Sequence, residues 1–98
     1  MSFRRAAKKD ANHNEITNAF VSLGYSVLDV SQLKNCCDLI AAKGTRTIAV
    51  EVKDGAKPPS ARKLSEGEVK FKDYWLGEWA LVESVDDVIC LHRLENAA

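Results

Sequence analysis

The chain has 98 residues, of which 46% are hydrophobic, and its 14 Lys and Arg residues balance its 14 Asp and Glu residues. This composition excludes a disordered or collagen-like chain and predicts one folded domain over residues 1–98. A chain of this length buries only about 60 to 65% of its unfolded surface, so a dimer would help to stabilise it.

The first half of the chain predicts one helix and three strands. Apolar residues at helical spacing predict a helix over residues 12–23, which Gly24 ends. A short β-branched segment predicts a strand over residues 25–30. Residues 38–42 and 46–53 are of strand length and are joined by a short turn, which predicts a β-hairpin.

The second half begins with a proline-containing loop at residues 54–60. Ser65 and Glu68 then form a capping-box pattern for a helix over residues 66–76. The apolar run at residues 79–83 predicts a strand covered on both faces, and a short last helix follows Ser84. The order α-β-β-β-α-β-α predicts an α/β fold with a mixed sheet and helices packed against it.

The longest apolar runs are too short for a membrane helix, and no apolar stretch follows the basic N-terminus as it would in a signal peptide. We therefore expect a cytoplasmic protein without membrane contact. The three cysteines, Cys36, Cys37 and Cys90, have no CxxC spacing, which argues against disulfides and a zinc site. Reduced, buried thiols are expected.

The balanced charge is unevenly distributed along the chain. Residues 1–9 carry four bases and no acid, as part of a basic N-terminal arm at residues 1–10, and residues 43–72 carry eight bases against four acids. A polyanion such as DNA could bind these basic segments, because binding follows local charge. A solvated mixed surface is the alternative.

The candidate catalytic residues lie on the predicted hairpin. Strand alternation places Glu51 and Lys53 on one face, and antiparallel pairing can bring Asp38 beside Glu51. A divalent cation would relieve the repulsion between two carboxylates, and oxygen ligands favour Mg²⁺ or Mn²⁺ over Zn²⁺. Such a cation could activate water against a phosphodiester, with Lys53 orienting the water or neutralising charge on the phosphate. The alternative is the solvent face of a half-buried strand.

Two further acids and a basic loop are candidates around these residues. Glu15 could supply a third oxygen ligand, unless it only caps the first helix with Asn12. Glu68 is predicted to face the sheet as an auxiliary acid, with Lys72 as its i,i+4 partner. The loop and helix entry carry candidate phosphate-binding residues, for which a solvated loop is the alternative: Lys57, Ser60, Arg62 and Lys63.

From about Arg5 to Leu94, the chain resembles the PD-(D/E)XK nuclease superfamily, particularly the small stand-alone VRR-NUC-like proteins of phages and prophages. The likeness rests on four segments taken in order: Asn14-Glu15-Ile16, Cys37-Asp38-Leu39-Ile40, Glu51-Val52-Lys53-Asp54-Gly55, and Lys57-Pro58-Pro59-Ser60 leading to Glu68. Two positions depart from the family pattern. Cys37 stands in place of the motif's proline, and Glu68 in place of the usual glutamine.

The resemblance implies a restriction-endonuclease-like α-β-β-β-α-β core and a Mg²⁺- or Mn²⁺-dependent DNA endonuclease in a bacterial host. Asp38, Glu51 and the Val52 carbonyl would be metal ligands, Lys53 the catalytic lysine and Glu15 the acid of the first helix. Relatives that cut Holliday junctions and other branched DNA are homodimers, so branched DNA and a second copy are the expected partners. A non-catalytic nucleic-acid-binding module on the same fold is the alternative function.

Overall fold

The computed structural model describes residues 10–97, with the side chains of residues 10–94. The rest of the basic arm expected at residues 1–10 lies outside the described residues. The elements are α1 (His13–Ser22), β1 (Ser26–Asp29), β2 (Leu39–Lys43), β3 (Arg46–Val52), a 3₁₀ turn (Pro59–Arg62), α2 (Glu66–Tyr74), β4 (Glu78–Val82) and α3 (Val85–Ala97). This order confirms the α/β prediction.

The four strands form one mixed sheet in the order β1-β2-β3-β4. β1 and β2 are antiparallel, as are β2 and β3, whereas β4 lies parallel to β3. Leu39 pairs with Val50 and Lys43 with Arg46 across the predicted hairpin, which is confirmed. The turn between these strands contains Gly44 at φ +63°, a left-handed conformation that glycine adopts without steric cost.

Helices cover both faces of this sheet. Ile16 and Phe20 of α1 and Val88 of α3 pack with Ile48 and Val50 in the larger core cluster. Phe71 of α2 packs with Cys37 and Ala49 on the opposite face, where Trp75 and Trp79 are partly buried against it. Because side chains alternate along a strand, Glu51 points to the α2 face while Val50 and Val52 point to the other.

Three details of the predicted elements need correction. β4 is an edge strand, so its side chains are mostly half-buried and Leu81 is exposed, rather than covered on both faces. α2 ends at Tyr74, because Trp75 is extended and donates its indole N–H to the Glu78 carbonyl at 2.9 Å. α3 has 13 residues instead of being short, because Val88 and partly buried Leu91 attach it to the core.

The proline-containing loop connects β3 to α2. Pro59 begins the 3₁₀ turn, where the missing backbone N–H of proline costs no helical hydrogen bond. Within residues 10–97, no helix is long and apolar enough to cross a membrane. The thiols differ in exposure: Cys37 is buried and Cys36 half-buried, but Cys90 is exposed, against the expectation that all three are buried.

Candidate active site

Asp38 lies directly beside Glu51, where β2 begins opposite the end of β3. The backbone N–H of Asp38 donates at 3.0 Å to the carbonyl of Val50, the residue that pairs with Leu39 at the start of β2. The Asp38 carboxylate in turn accepts the Val52 N–H at 2.8 Å. The hairpin therefore fixes the Asp38 carboxylate next to Glu51, as the strand pattern predicts.

Glu51 is a buried carboxyl group with unsatisfied hydrogen-bonding capacity. Its residue is only 1% exposed, and its Oε2 atom has no hydrogen-bond partner within the described chain. Burial, followed by the negative charges of Asp38 and Glu68, raises the pKa of Glu51 to about 9. This environment excludes the alternative of a solvent-facing strand, and a cation bound at Oε2 would compensate the buried charge.

Lys53 directly follows β3 and contacts Glu68 of α2. Its Nζ atom donates to Glu68 Oε1 at 2.8 Å, and the two side chains are 14% and 21% exposed. Burial opposes the charge on Lys53, but the hydrogen bond and charge of Glu68, together with the charges of Glu51 and Asp10, raise the pKa of Lys53. Burial likewise opposes the charge of Glu68, whose pKa is nevertheless lowered by Lys53 and Ser65.

Glu68 also completes the predicted capping box. Ser65 Oγ accepts the Glu68 N–H at 3.2 Å, and Glu68 Oε1 accepts the Ser65 N–H at 2.7 Å. The expected pairing of Glu68 with Lys72 is wrong, because the Lys72 ammonium lies over the Trp79 ring, 4.6 Å from its centroid. Glu68 faces the sheet, as predicted, but its partner comes from the sheet instead of its own helix.

Glu15 lines a different pocket from Asp38 and Glu68. It is exposed on α1, the helix that packs on the opposite face of the sheet from α2. It lines a pocket of about 420 Å³ together with Asp54, Glu83 and Asp87. The alternative capping role is wrong, because α1 has no side-chain cap and Asn12 instead donates to the Lys53 and Glu83 carbonyls at 3.1 and 3.0 Å.

The basic loop residues divide into two groups. Lys57, Ser60 and Lys63 are exposed, and the Lys57 ammonium is 3.8 Å from Asp10. Arg62 is half-buried instead, because it donates to the Lys57 carbonyl at 2.8 Å and to Glu83 Oε2 at 3.0 Å. The guanidinium of Arg62 is thus bound by groups of the protein itself, whereas the ammonium groups of Lys57 and Lys63 are exposed to solvent.

Two carboxylates of this site are of the chemical type that binds a hard divalent cation. Asp38 and Glu51 supply two adjacent carboxylates, one with an unpartnered buried oxygen, and the Val52 carbonyl belongs to the same strand. Among the described residues, no group of three or more His, Cys, Asp or Glu side chains could hold a metal ion. A cation at this site would therefore depend on two side chains, with the carbonyl and water completing its coordination.

A polar groove of about 290 Å³, which no sequence pattern predicted, adjoins the candidate site. Asp38 and Glu68 line it, with the residues of the β1–β2 connection that precede Asp38 and with the first turn of α2. Asn35, at φ +57°, packs so closely on Gly67 that a Cβ atom there would collide with its side chain. In the sequence, the only signal that could have indicated this contact is Asn35, because asparagine adopts the left-handed conformation more readily than most residues.

Comparisons with known proteins give no relative on which to base an assignment. No family model matches the chain, and no curated protein or solved structure matches it significantly.

Proposed function

We propose that this protein is a Mg²⁺- or Mn²⁺-dependent DNA endonuclease that hydrolyses phosphodiester bonds. The observation that carries the proposal is the cluster of Asp38, Glu51 and Lys53 at the end of β3, in which Glu51 is buried with an unpartnered oxygen. A buried carboxyl group with such a raised pKa, beside a second carboxylate, destabilises the folded protein when it is ionised. Such groups are concentrated at functional sites.

The finer fold assignment is part of this proposal. An α-β-β-β-α-β order with one parallel and two antiparallel strand pairs is compatible with a restriction-endonuclease-like core. The proposal is supported by the acid before β2 and the Glu51-x-Lys53 motif at the end of β3, on which the PD-(D/E)XK resemblance rests. Cys37, in the proline position of that motif, is buried and donates to the Leu39 carbonyl at 3.3 Å. It packs in the core with Ala49 and Phe71.

Each residue of the cluster has a role in this reaction. Asp38, Glu51 and the Val52 carbonyl would hold the cation, which when bound supplies Lewis acidity at the phosphate and lowers the pKa of a water molecule. Lys53 has three N–H donors, of which Glu68 uses one, so the others can orient the attacking water or contact a phosphate oxygen. Glu15 contributes only if substrate or water bridges its separate pocket to the site.

The exposed lysines are proposed to bind the DNA backbone. Lys57, Ser60 and Lys63 follow the catalytic strand on one loop, close enough in sequence to guide a strand towards Lys53. Branched DNA is the proposed substrate, and the proposed state is a homodimer, because two sites are needed to cut two strands. The cytoplasm of a bacterial host, as a phage or prophage protein, is the proposed location.

The direct test is incubation of the purified protein with labelled four-way junction, flap and linear duplex DNA, each with Mg²⁺, Mn²⁺ or EDTA. Metal-dependent cleavage that disappears in Asp38→Asn would support the proposal, and preference for the junction or flap would support the branched substrate. Retained DNA binding without cleavage of any substrate would overturn it in favour of the non-catalytic binding module.

A further inference from the structure

Glu68 is joined to two parts of the protein through one oxygen atom. Its Oε1 accepts from the Lys53 ammonium at 2.8 Å and from the Ser65 backbone N–H at 2.7 Å. Its own backbone N–H is held by Ser65 Oγ, which fixes the residue in the first turn of α2. The position of this oxygen is therefore set by the helix N-terminus, independently of Lys53.

Lysine is otherwise a poor candidate for a fixed catalytic position. Its four-carbon side chain has several rotatable bonds, and its ammonium is a point charge without directional preference. Lys53 directly follows β3, and its backbone N–H donates to the Val82 carbonyl at 3.0 Å, so its backbone is fixed, but its Nζ needs a second anchor. Glu68 Oε1 is that anchor, in a setting where both side chains are mostly buried.

We propose that Glu68 is a positioning residue for Lys53, so that the N-terminus of α2 sets where the catalytic ammonium lies. This inference rests on the proposed nuclease function for its kinetic consequence, but the anchoring itself can be measured without cleavage. An amide at residue 68 can accept the same two hydrogen bonds through its oxygen, so the role requires an acceptor and no negative charge.

Three variants separate positioning from helix capping. Glu68→Gln keeps the acceptor, Glu68→Ala removes it, and Ser65→Ala removes the hydroxyl that caps Glu68 while leaving the Ser65 N–H and the carboxylate in place. Loss of a cap alone destabilises the first turn of a helix. A purely structural role would therefore make Ser65→Ala and Glu68→Ala similar.

The first readout is the ¹H–¹⁵N spectrum of lysine ammonium groups, in which a held ammonium gives a resolved cross-peak, assigned here by its loss in Lys53→Arg. We expect the Lys53 cross-peak in wild type, Glu68→Gln and Ser65→Ala, and its loss in Glu68→Ala. A cross-peak that persists unchanged in Glu68→Ala, or is lost equally in Ser65→Ala, would overturn the proposal.

The second readout is cleavage of saturating junction DNA with Mg²⁺. Glu68→Ala should lower kcat about tenfold or more with little change in KM, because misplacing a reacting group slows the chemical step. Glu68→Gln should restore kcat, and equal loss in both variants would contradict the positioning role. If wild type cleaves nothing, the nuclease proposal fails, and the ammonium spectrum still decides whether Glu68 positions Lys53.

Discussion

The Asp38 carboxylate is held by the backbone N–H of Val52, at 2.8 Å, across the β2–β3 hairpin. Val52 lies between Glu51 and Lys53, so the strand that carries two of the candidate catalytic side chains also orients the third. A one-residue slip of this pairing would turn Glu51 and Lys53 to the opposite face of the sheet. The relative positions of Asp38, Glu51 and Lys53 therefore depend on the register of the β2–β3 hairpin.

Burial of Glu51 predicts a specific pH dependence of stability. Its pKa rises from an ordinary 4.5 to about 9, so folding favours the protonated carboxyl. The contribution of Glu51 to the free energy of unfolding is therefore greatest below pH 4.5 and falls progressively as the pH rises towards 9. Glu51→Gln should therefore raise the melting temperature of the metal-free protein at pH 8 and have less effect at pH 5.

Thermal unfolding in EDTA at several pH values measures this effect. At this chain length each kcal/mol corresponds to about 4–8 °C in Tm. Glu66→Gln, at an exposed carboxylate of α2, is the matched control and should leave the pH profile unchanged. Parallel wild-type and Glu51→Gln profiles from pH 5 to about 9 would contradict the buried, destabilised carboxylate.

Divalent cations should stabilise the protein through the same pair of carboxylates. Mg²⁺ or Mn²⁺ at 100 times its dissociation constant would add about 2.7 kcal/mol to the free energy of unfolding. Because binding displaces the proton of Glu51, the Tm increase should grow as the pH rises towards 9. The increase should be lost in Asp38→Asn, and a Tm that responds equally in wild type and in this variant would place the cation elsewhere.

The basic loop yields opposite expectations for two neighbouring residues. Lys63→Ala should leave Tm unchanged and reduce the salt dependence of DNA binding by about one counterion, because Lys63 is exposed. Arg62→Ala should lower the free energy of unfolding by about 1 kcal/mol, because it removes the contacts with Glu83 and the Lys57 carbonyl. Salt titrations of DNA binding, with melting curves of both variants, distinguish the two roles, and equal effects would contradict the structure of this loop.

Local patterns predicted the fold well because they are set by local physics. The helical spacing from Ile16 to Leu23 and the alternation in β3 fix which faces are buried, and the short turn fixes the hairpin. The neighbourhood of Asp38 and Glu51 follows from that pairing. Alternation alone did not show that α2 covers this face, and so it left a solvent-exposed Glu51 as an alternative.

Contacts between elements that are distant in sequence could not be predicted from local sequence patterns. Glu68 pairs with Lys53, 15 residues away, and not with Lys72 on its own helix. Asn12 bonds the Lys53 and Glu83 carbonyls instead of capping α1, because two strand ends reach its side chain. Such partners depend on how the layers pack, which no spacing within a single element encodes.

The most direct test of the proposed mechanism is cleavage of a labelled four-way junction with Mg²⁺ by wild type and Lys53→Ala, with Lys70→Ala, at an exposed lysine of α2, as the matched lysine control. We predict paired symmetric cuts by wild type that disappear in EDTA, persist in Lys70→Ala and fall at least about 100-fold in Lys53→Ala. Far-ultraviolet circular dichroism should show that both variants are folded. Cleavage by folded Lys53→Ala at the wild-type rate would contradict the proposed mechanism.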